Sequence, residues 1–211
     1  MKIDFVSDVS CPWCAIGLHA LEQALSRLGD EVAVELRFLP FELNPQMPAE
    51  GEDTVEHLMR KYGLTREQCE RNTEAICQRG KAVGFTFGKG MRRRIYNTFD
   101  AHRLLHWARL EGRQRELKHA LLRAYFTDGE DPSDHALLAR TAGEVGLDAE
   151  RARAILASDE YAADVRRREH YYQNRGIHAV PSVIVDDRHL IQGGQPVEVF
   201  EETLRRLAAA G

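Results

Sequence analysis

The sequence reads as an α/β protein in which a β-α-β opening and a β-β-α close enclose a long helical stretch. Three features carry this reading. Strand-like apolar runs stand only near the two ends of the chain. Between about residues 53 and 175 apolar residues recur at helical spacing, with Gly and Asp-Pro breaks. Cys11-Pro12-Trp13-Cys14 stands where the first strand gives way to the first helix.

Residues 2–6 form a mostly apolar run, the pattern of a strand buried on both faces. Ser7-Asp8-Val9-Ser10 has turn composition and leads to Cys11-Pro12. The first N–H of a helix has no partner to lose, so proline is tolerated there and Pro12 marks a helix start. Leu18, Leu21, Leu25 and Leu28 continue at helical spacing until Gly29-Asp30. Over 32–39, Val32, Val34, Leu36 and Phe38 alternate with other residues, a strand period. Phe41-Glu42-Leu43-Asn44-Pro45 and Met47-Pro48 then make a proline-punctuated loop. Helices are expected over 54–62, 66–83, 97–110, 113–126, 133–145, 148–157 and 160–174. The short cluster Arg92-Arg93-Arg94 reads as a solvated helix start or a local anion contact. Strand character returns at Ser182–Val185, and the turn Asp186-Asp187-Arg188 joins it to His189-Leu190-Ile191 as a hairpin. After Gly193-Gly194, residues 196–207 form a closing helix with Val197, Phe200, Leu204 and Leu207 on one face. No repeat or low-complexity linker interrupts the chain. One α/β unit is therefore expected from 1–50 and 176–211, with 51–175 as a helical insertion packed upon it.

Bulk properties narrow the function. An apolar fraction of 43% over 211 residues fills a sizeable core. The net charge of -4 is spread along the chain and gives no reason to expect a nucleic acid or a membrane surface as partner. No apolar stretch approaches the roughly 20 residues of a membrane-spanning helix. Met1-Lys2 leads into Ile3-Asp4-Phe5-Val6, too brief and too charged for the apolar core of a signal peptide, so a cytoplasmic location is expected. In a reducing compartment the four cysteines ask for a catalytic or metal explanation rather than a structural disulfide framework.

Cys-x-x-Cys at a helix start is the spacing that a reversible disulfide requires, because two sulfurs one helical turn apart can meet. The unpaired N–H groups and the positive end of the helix dipole favour a thiolate at the more N-terminal position. Cys11 is accordingly the expected nucleophile, and Cys14 the expected resolving thiol. Cys69 and Cys77 have the wrong separation for the second half of a zinc site. On one helix they stand about 12 Å apart, too far for a mutual disulfide, and read as isolated, partly buried small apolar residues or as an accessory redox pair. His102 and His106 lie one helical turn apart, but nothing completes a ligand set, so no metal is expected.

Ser7-Asp8, Cys11-Pro12-Trp13-Cys14, Phe41-Glu42-Leu43-Asn44-Pro45, Asn97-Thr98 with Ala101-His102-Arg103, Val180-Pro181-Ser182 and Gly193-Gly194-Gln195 together resemble the DsbA family, most closely its cytoplasmic FrnE-like branch. The element order is likewise that of a thioredoxin-like fold interrupted by a helical domain. The resemblance implies thiol-disulfide oxidoreductase activity, with a cis bond before Pro181. Val180 would offer its backbone to an extended peptide or to glutathione, beside Pro12 and Trp13. Without it, Pro181 reads as a strand-edge proline. It further implies that Asn97 and His102 line the substrate site, the alternatives being a helix cap and a surface residue. Asp8 is either a proton acceptor near Cys14 or a turn cap. Trp13 occupies the place where periplasmic members often carry histidine. Cys11 is therefore expected to be less acidic than the value of about 3.5 of the most oxidising members. No bound cofactor is implied. Glutathione is the expected co-substrate, glutathione or a thioredoxin system the electron partner, and disulfide-bearing proteins or small disulfides the substrates, for a monomer or homodimer. Competing readings are a glutathione-dependent transferase or 2-hydroxychromene-2-carboxylate isomerase, whose members typically have serine at the position of Cys11, and a non-enzymatic redox-sensing or chaperone-like binding protein.

Overall fold

A computed structural model describes residues 1–88 and 93–210. The chain opens with strand β1 (Lys2–Ser7), helix α1 (Pro12–Leu28), a single 3-10 turn at Gly29–Glu31, and β2 (Glu35–Pro40). The middle of the chain is helical: α2 (Thr54–Tyr62), α3 (Arg66–Ala82), α4 (Phe99–Leu110), α5 (Gln114–Phe126), α6 (His135–Glu144), α7 (Ala149–Leu156) and α8 (Ala162–Asn174). Short strands β3 (Glu52–Asp53) and β4 (Arg94–Ile95) pair within it. The chain closes with β5 (Ser182–Val185), β6 (His189–Gln192) and α9 (Val197–Ala210).

The main sheet has the order β2-β1-β5-β6, with β1 and β2 parallel and both other pairs antiparallel. Alternation along the strands sorts side chains to two faces. Ile3, Phe5, Phe38, Val183 and Val185 join the core beneath α1 and α9, while Val6, Leu39 and Ile184 meet Tyr172 and Ile177 on the opposite face. Asp4, fully buried on that second face, is matched by its register partner Arg37, which donates to it at 2.7 and 2.8 Å, and by the Tyr172 hydroxyl at 2.8 Å. A buried carboxylate is tolerable only with such partners.

Ile76, Val83, Phe85, Leu122, Tyr125 and Phe126 of the helical stretch belong to the same core as α1 and α9. A second core, built from α4 to α7, also takes in Val9 from the turn before Cys11. The helical stretch therefore grips the β1–α1 junction from both sides.

Most expected elements are found within two residues of their expected bounds, and the differences have local causes. The 3-10 turn carries the chain to Glu35 before pairing begins, so β2 starts three residues later than its alternation suggests. The Asn97 side chain accepts from the Phe99 N–H at 2.9 Å, which places α4 two residues later. The arginine cluster does not start a helix. Arg94 lies in β4 and donates to the carbonyls of Glu50 and Gly51, whereas Arg92 lies outside the described residues.

Candidate active site

Cys11 is the N-cap of α1, with extended backbone angles, and Pro12 follows at the first helical position. The Cys11 carbonyl accepts from the N–H groups of Cys14 at 3.0 Å and Ala15 at 3.4 Å, so the first turn of the helix wraps about this residue. Cys11 is 3% exposed, and its Sγ lies 3.8 Å from the Val180 carbonyl. Cys14 is fully buried. Burial, and then the hydrogen bond and negative charge of the Cys11 sulfur, push the Cys14 thiol well above its ordinary range, against the opposing pull of Lys118 and of the Asp8 backbone N–H.

The Val180-Pro181 bond is cis. The loop that carries it sits directly on α1, and two glycines permit the approach. A Cβ at Gly17 would meet Pro181 Cγ at 3.1 Å and Gly194 Cα at 3.2 Å, and one at Gly194 would meet the Trp13 carbonyl at 3.1 Å. The Pro181 carbonyl accepts from Gly193 N–H at 2.8 Å, closing this corner. Pro12 and Pro181 are buried and Val180 half-buried, so the exposed member of the group is Trp13 at 38%. The Arg79 guanidinium stands 5.8 Å from the indole centroid and donates to the Gly194 carbonyl at 3.1 Å. A flat apolar face with a cation beside it thus flanks the cysteines.

Behind the cysteines lies a buried polar layer. Asp8 accepts from Ser10 N–H at 3.2 Å, Ser10 Oγ at 3.0 Å and Leu43 N–H at 2.8 Å, and its carbonyl accepts from Cys11 N–H at 3.3 Å. His102 Nε2 lies 3.6 Å from Asp8 Oδ1, an ion-pair separation, and 3.1 Å from the Phe41 carbonyl. Burial alone would raise the Asp8 carboxyl, but His102, the Leu43 N–H and the Thr98 hydroxyl more than offset it and hold it at about 2. Asp8 is therefore a firmly ionised turn cap whose oxygens are occupied. That makes it a poor acceptor for the Cys14 proton. His102 is 3% exposed, so it is neither a surface residue nor open to a substrate in this conformation. Asn97 caps the approach to α4 and donates toward Glu42 Oε2 and the Pro45 carbonyl at 3.4 Å each.

Sequence reasoning passed over Lys118. It is fully buried on α5, its Nζ has no hydrogen-bond partner, and the thiol it interacts with most strongly is Cys14. Burial, opposed by the negative charges of Cys14, Asp8 and Cys11, pulls its amine below the ordinary range. The signal was present in the pattern: residue 118 shares a helical stripe with Gln114, Leu121 and Leu122, a place where lysine is rare. Gln114 is likewise buried and bonds the edge of β2 through both Phe38 N–H at 3.0 Å and the Phe38 carbonyl at 2.8 Å. Elsewhere, Cys69 is buried and Cys77 half-buried on α3, neither in a disulfide. His106 stacks near Tyr161 at 5.1 Å, and among the described residues no three His, Cys, Asp or Glu side chains gather as a metal site.

A strand-helix-strand unit with two cysteines at the helix start and a cis-proline loop beside them defines a thioredoxin-like redox scaffold, and comparison places the chain within it. Residues 2–205 match the DSBA-like thioredoxin domain, and the chain belongs to that family. Among solved structures it is similar to a probable DsbA oxidoreductase from Streptomyces coelicolor, with a TM-score of 0.93 and 33% identity over 100% of this chain and 90% of that one. It shares its fold with the cytosolic disulfide reductase DsbM from Pseudomonas aeruginosa, at a TM-score of 0.71 and 16% identity over the whole of both chains. The uncharacterised protein YwbO of Bacillus subtilis is 29% identical over 206 residues, 97% of this chain and 96% of that one.

Proposed function

We propose that this protein catalyses thiol-disulfide exchange, with Cys11 as nucleophile and Cys14 as resolving thiol. The observation that carries the reading is the asymmetry of the pair: Cys11 caps the helix against the Val180 carbonyl, whereas Cys14 is sealed beneath it with its thiol raised. Cys11 thiolate attacks a substrate sulfur and expels the other as a thiolate, leaving a mixed disulfide. Cys14 then attacks Cys11 Sγ and releases the reduced substrate. Run in reverse, the same steps oxidise a dithiol. No bound cofactor enters these steps.

In this reading Trp13 and the backbone of Val180 receive the substrate chain beside Pro12 and Pro181, while Asn97 and His102 act behind the site by positioning Asp8 and the Phe41 loop. Disulfide-bearing proteins or small disulfides are the substrates, and glutathione or a thioredoxin system is the electron partner. The shared fold of a cytosolic disulfide reductase supports a cytoplasmic setting. Insulin reduction tests the assignment. Cys11→Ser abolishes it, and Cys14→Ser leaves Cys11 trapped as a mixed disulfide that intact mass detects. Retention of activity in Cys11→Ser would reject the nucleophile and favour glutathione-dependent transfer or isomerisation on the same fold.

A further inference from the structure

We propose that Lys118 is the base that takes the proton from Cys14 as the mixed disulfide is resolved, a role that rests on the dithiol reading above. Resolution needs such a group, because the thiolate rather than the thiol attacks and Cys14 is sealed from solvent. Asp8 is ruled out by its occupied oxygens and weak basicity. His102 has its Nε2 committed to the Phe41 carbonyl. Lys118 alone in this layer offers a nitrogen that is fully buried, without a hydrogen-bond partner, and carried on a flexible stem. Burial favours the uncharged form of both groups, the thiol of Cys14 that must lose its proton and the amine of Lys118 that has room to take it.

The step balances within the site. Cys14 S–H yields its proton to Lys118 Nζ, the freed electron pair forms the Cys14–Cys11 bond, and the bond from Cys11 to the substrate sulfur breaks with that sulfur leaving as a thiolate. Lys118 leaves the step as an ammonium. Lys118 lines a cavity of ≈ 10 Å³, room for about one water, together with His102, His106, Arg109 and Arg168, and such a water is the next acceptor for its proton.

The test is single-turnover reaction with a symmetric aryl disulfide whose thionitrobenzoate product absorbs visible light, in a Cys69→Ser, Cys77→Ser background. Attack by Cys11 releases the first thionitrobenzoate, and resolution by Cys14 releases the second. Lys118→Met is expected to slow the second phase by about a hundredfold, the lower end of the range for a lost general base, and to leave the first within about threefold. Lys118→Arg keeps a cation that does not deprotonate, so it is expected to be as slow as Lys118→Met. In both variants the second phase rises steadily with pH, whereas the wild type levels off once Lys118 is neutral. Cys11, Asp8, His102, His106, Arg109 and Arg168, which face Lys118, are the same in all three proteins, so the difference in profile belongs to residue 118. An unchanged second phase in Lys118→Met, or its recovery in Lys118→Arg, overturns the proposal. Loss of the first phase in the wild type would instead contradict the dithiol reading itself. Nitrogen NMR of the unsubstituted disulfide form decides the matter should the variants fail to fold: a neutral Lys118 Nζ at neutral pH is expected, and an ammonium overturns it.

Discussion

Asp8 shows how one side chain serves fold and chemistry together. Its carboxylate ties the turn before Cys11 to the Leu43 loop and to His102 on α4, while its carbonyl holds Cys11 N–H. Held at about 2 in the folded protein against 3.8 ordinarily, the carboxyl binds its proton more weakly when folded than when unfolded. Its contribution of about 2 kcal/mol is thus complete above the unfolded value and is lost as pH falls through the folded one. Urea unfolding of wild type and Asp8→Asn at neutral pH is predicted to show a gap of about that size, closing as pH falls from about 4 to 2. A gap that persists at pH 2 contradicts the role assigned to the charge. Trp13 acts on the other side of the cysteines. Trp13→Ala removes the exposed face beside them, and is expected to raise KM for a peptide disulfide while leaving Cys11 alkylation by a small reagent little changed. Equal loss in both assays would mean that Trp13 tunes the thiol rather than the substrate.

The close contact of α1 with the cis-proline loop is a property of elements, and Gly17 is its most sensitive point. Gly17→Ala gains about 1 kcal/mol of helix propensity but overpacks Pro181 and Gly194 at a cost of about 1–3 kcal/mol. The balance is a loss of between about 0 and 2 kcal/mol. The melting temperature is therefore expected to fall by no more than about 8 °C, while Cys11 exchange slows measurably because the contact geometry changes. An unchanged exchange rate would show that the contact does not set the site. Arg103 of α4 works at the same scale: buried, it pairs with Asp100 of its own helix and donates to the carbonyls of Ile155, Ser158 and Glu160, fixing α4 to the end of α7 and the chain just after it. Arg103→Met leaves these acceptors without their donor and is predicted to cost about 2–4 kcal/mol in chemical denaturation.

Elements were legible in the sequence to the degree that they repeat. Pro12–Leu28, Thr54–Tyr62 and Ser182–Val185 carry full periods bounded by proline, glycine or aspartate, and their ends follow. The β3–β4 pair has two residues per strand, too few to show a period, so the helical stretch concealed a ladder. In the site, Cys11 and Cys14 announced themselves by spacing. The burial of His102 did not, because it depends on the packing of α4 against β2 and the β1–α1 turn, and that of Lys118 showed only as a lysine set in the apolar stripe of α5.

At the scale of the molecule, both cores converge on the cysteine helix: one runs beneath α1 and α9, the other takes in Val9 just before Cys11. Such a frame holds Cys11 nearly buried beside the cis-proline loop and Cys14 fully buried one helical turn further in. Among the described residues no helix is long and apolar enough to cross a membrane. The central claim is that Cys11 and Cys14 cycle as one redox couple. Its most direct test is equilibration in glutathione buffers of graded ratio, with alkylation and intact mass reading the two thiols. A single reversible two-electron transition is predicted, at a potential more negative than about -120 mV because Trp13 brings no charge to stabilise the Cys11 thiolate. A stable single-glutathione adduct on Cys11, or no transition at all, would contradict it.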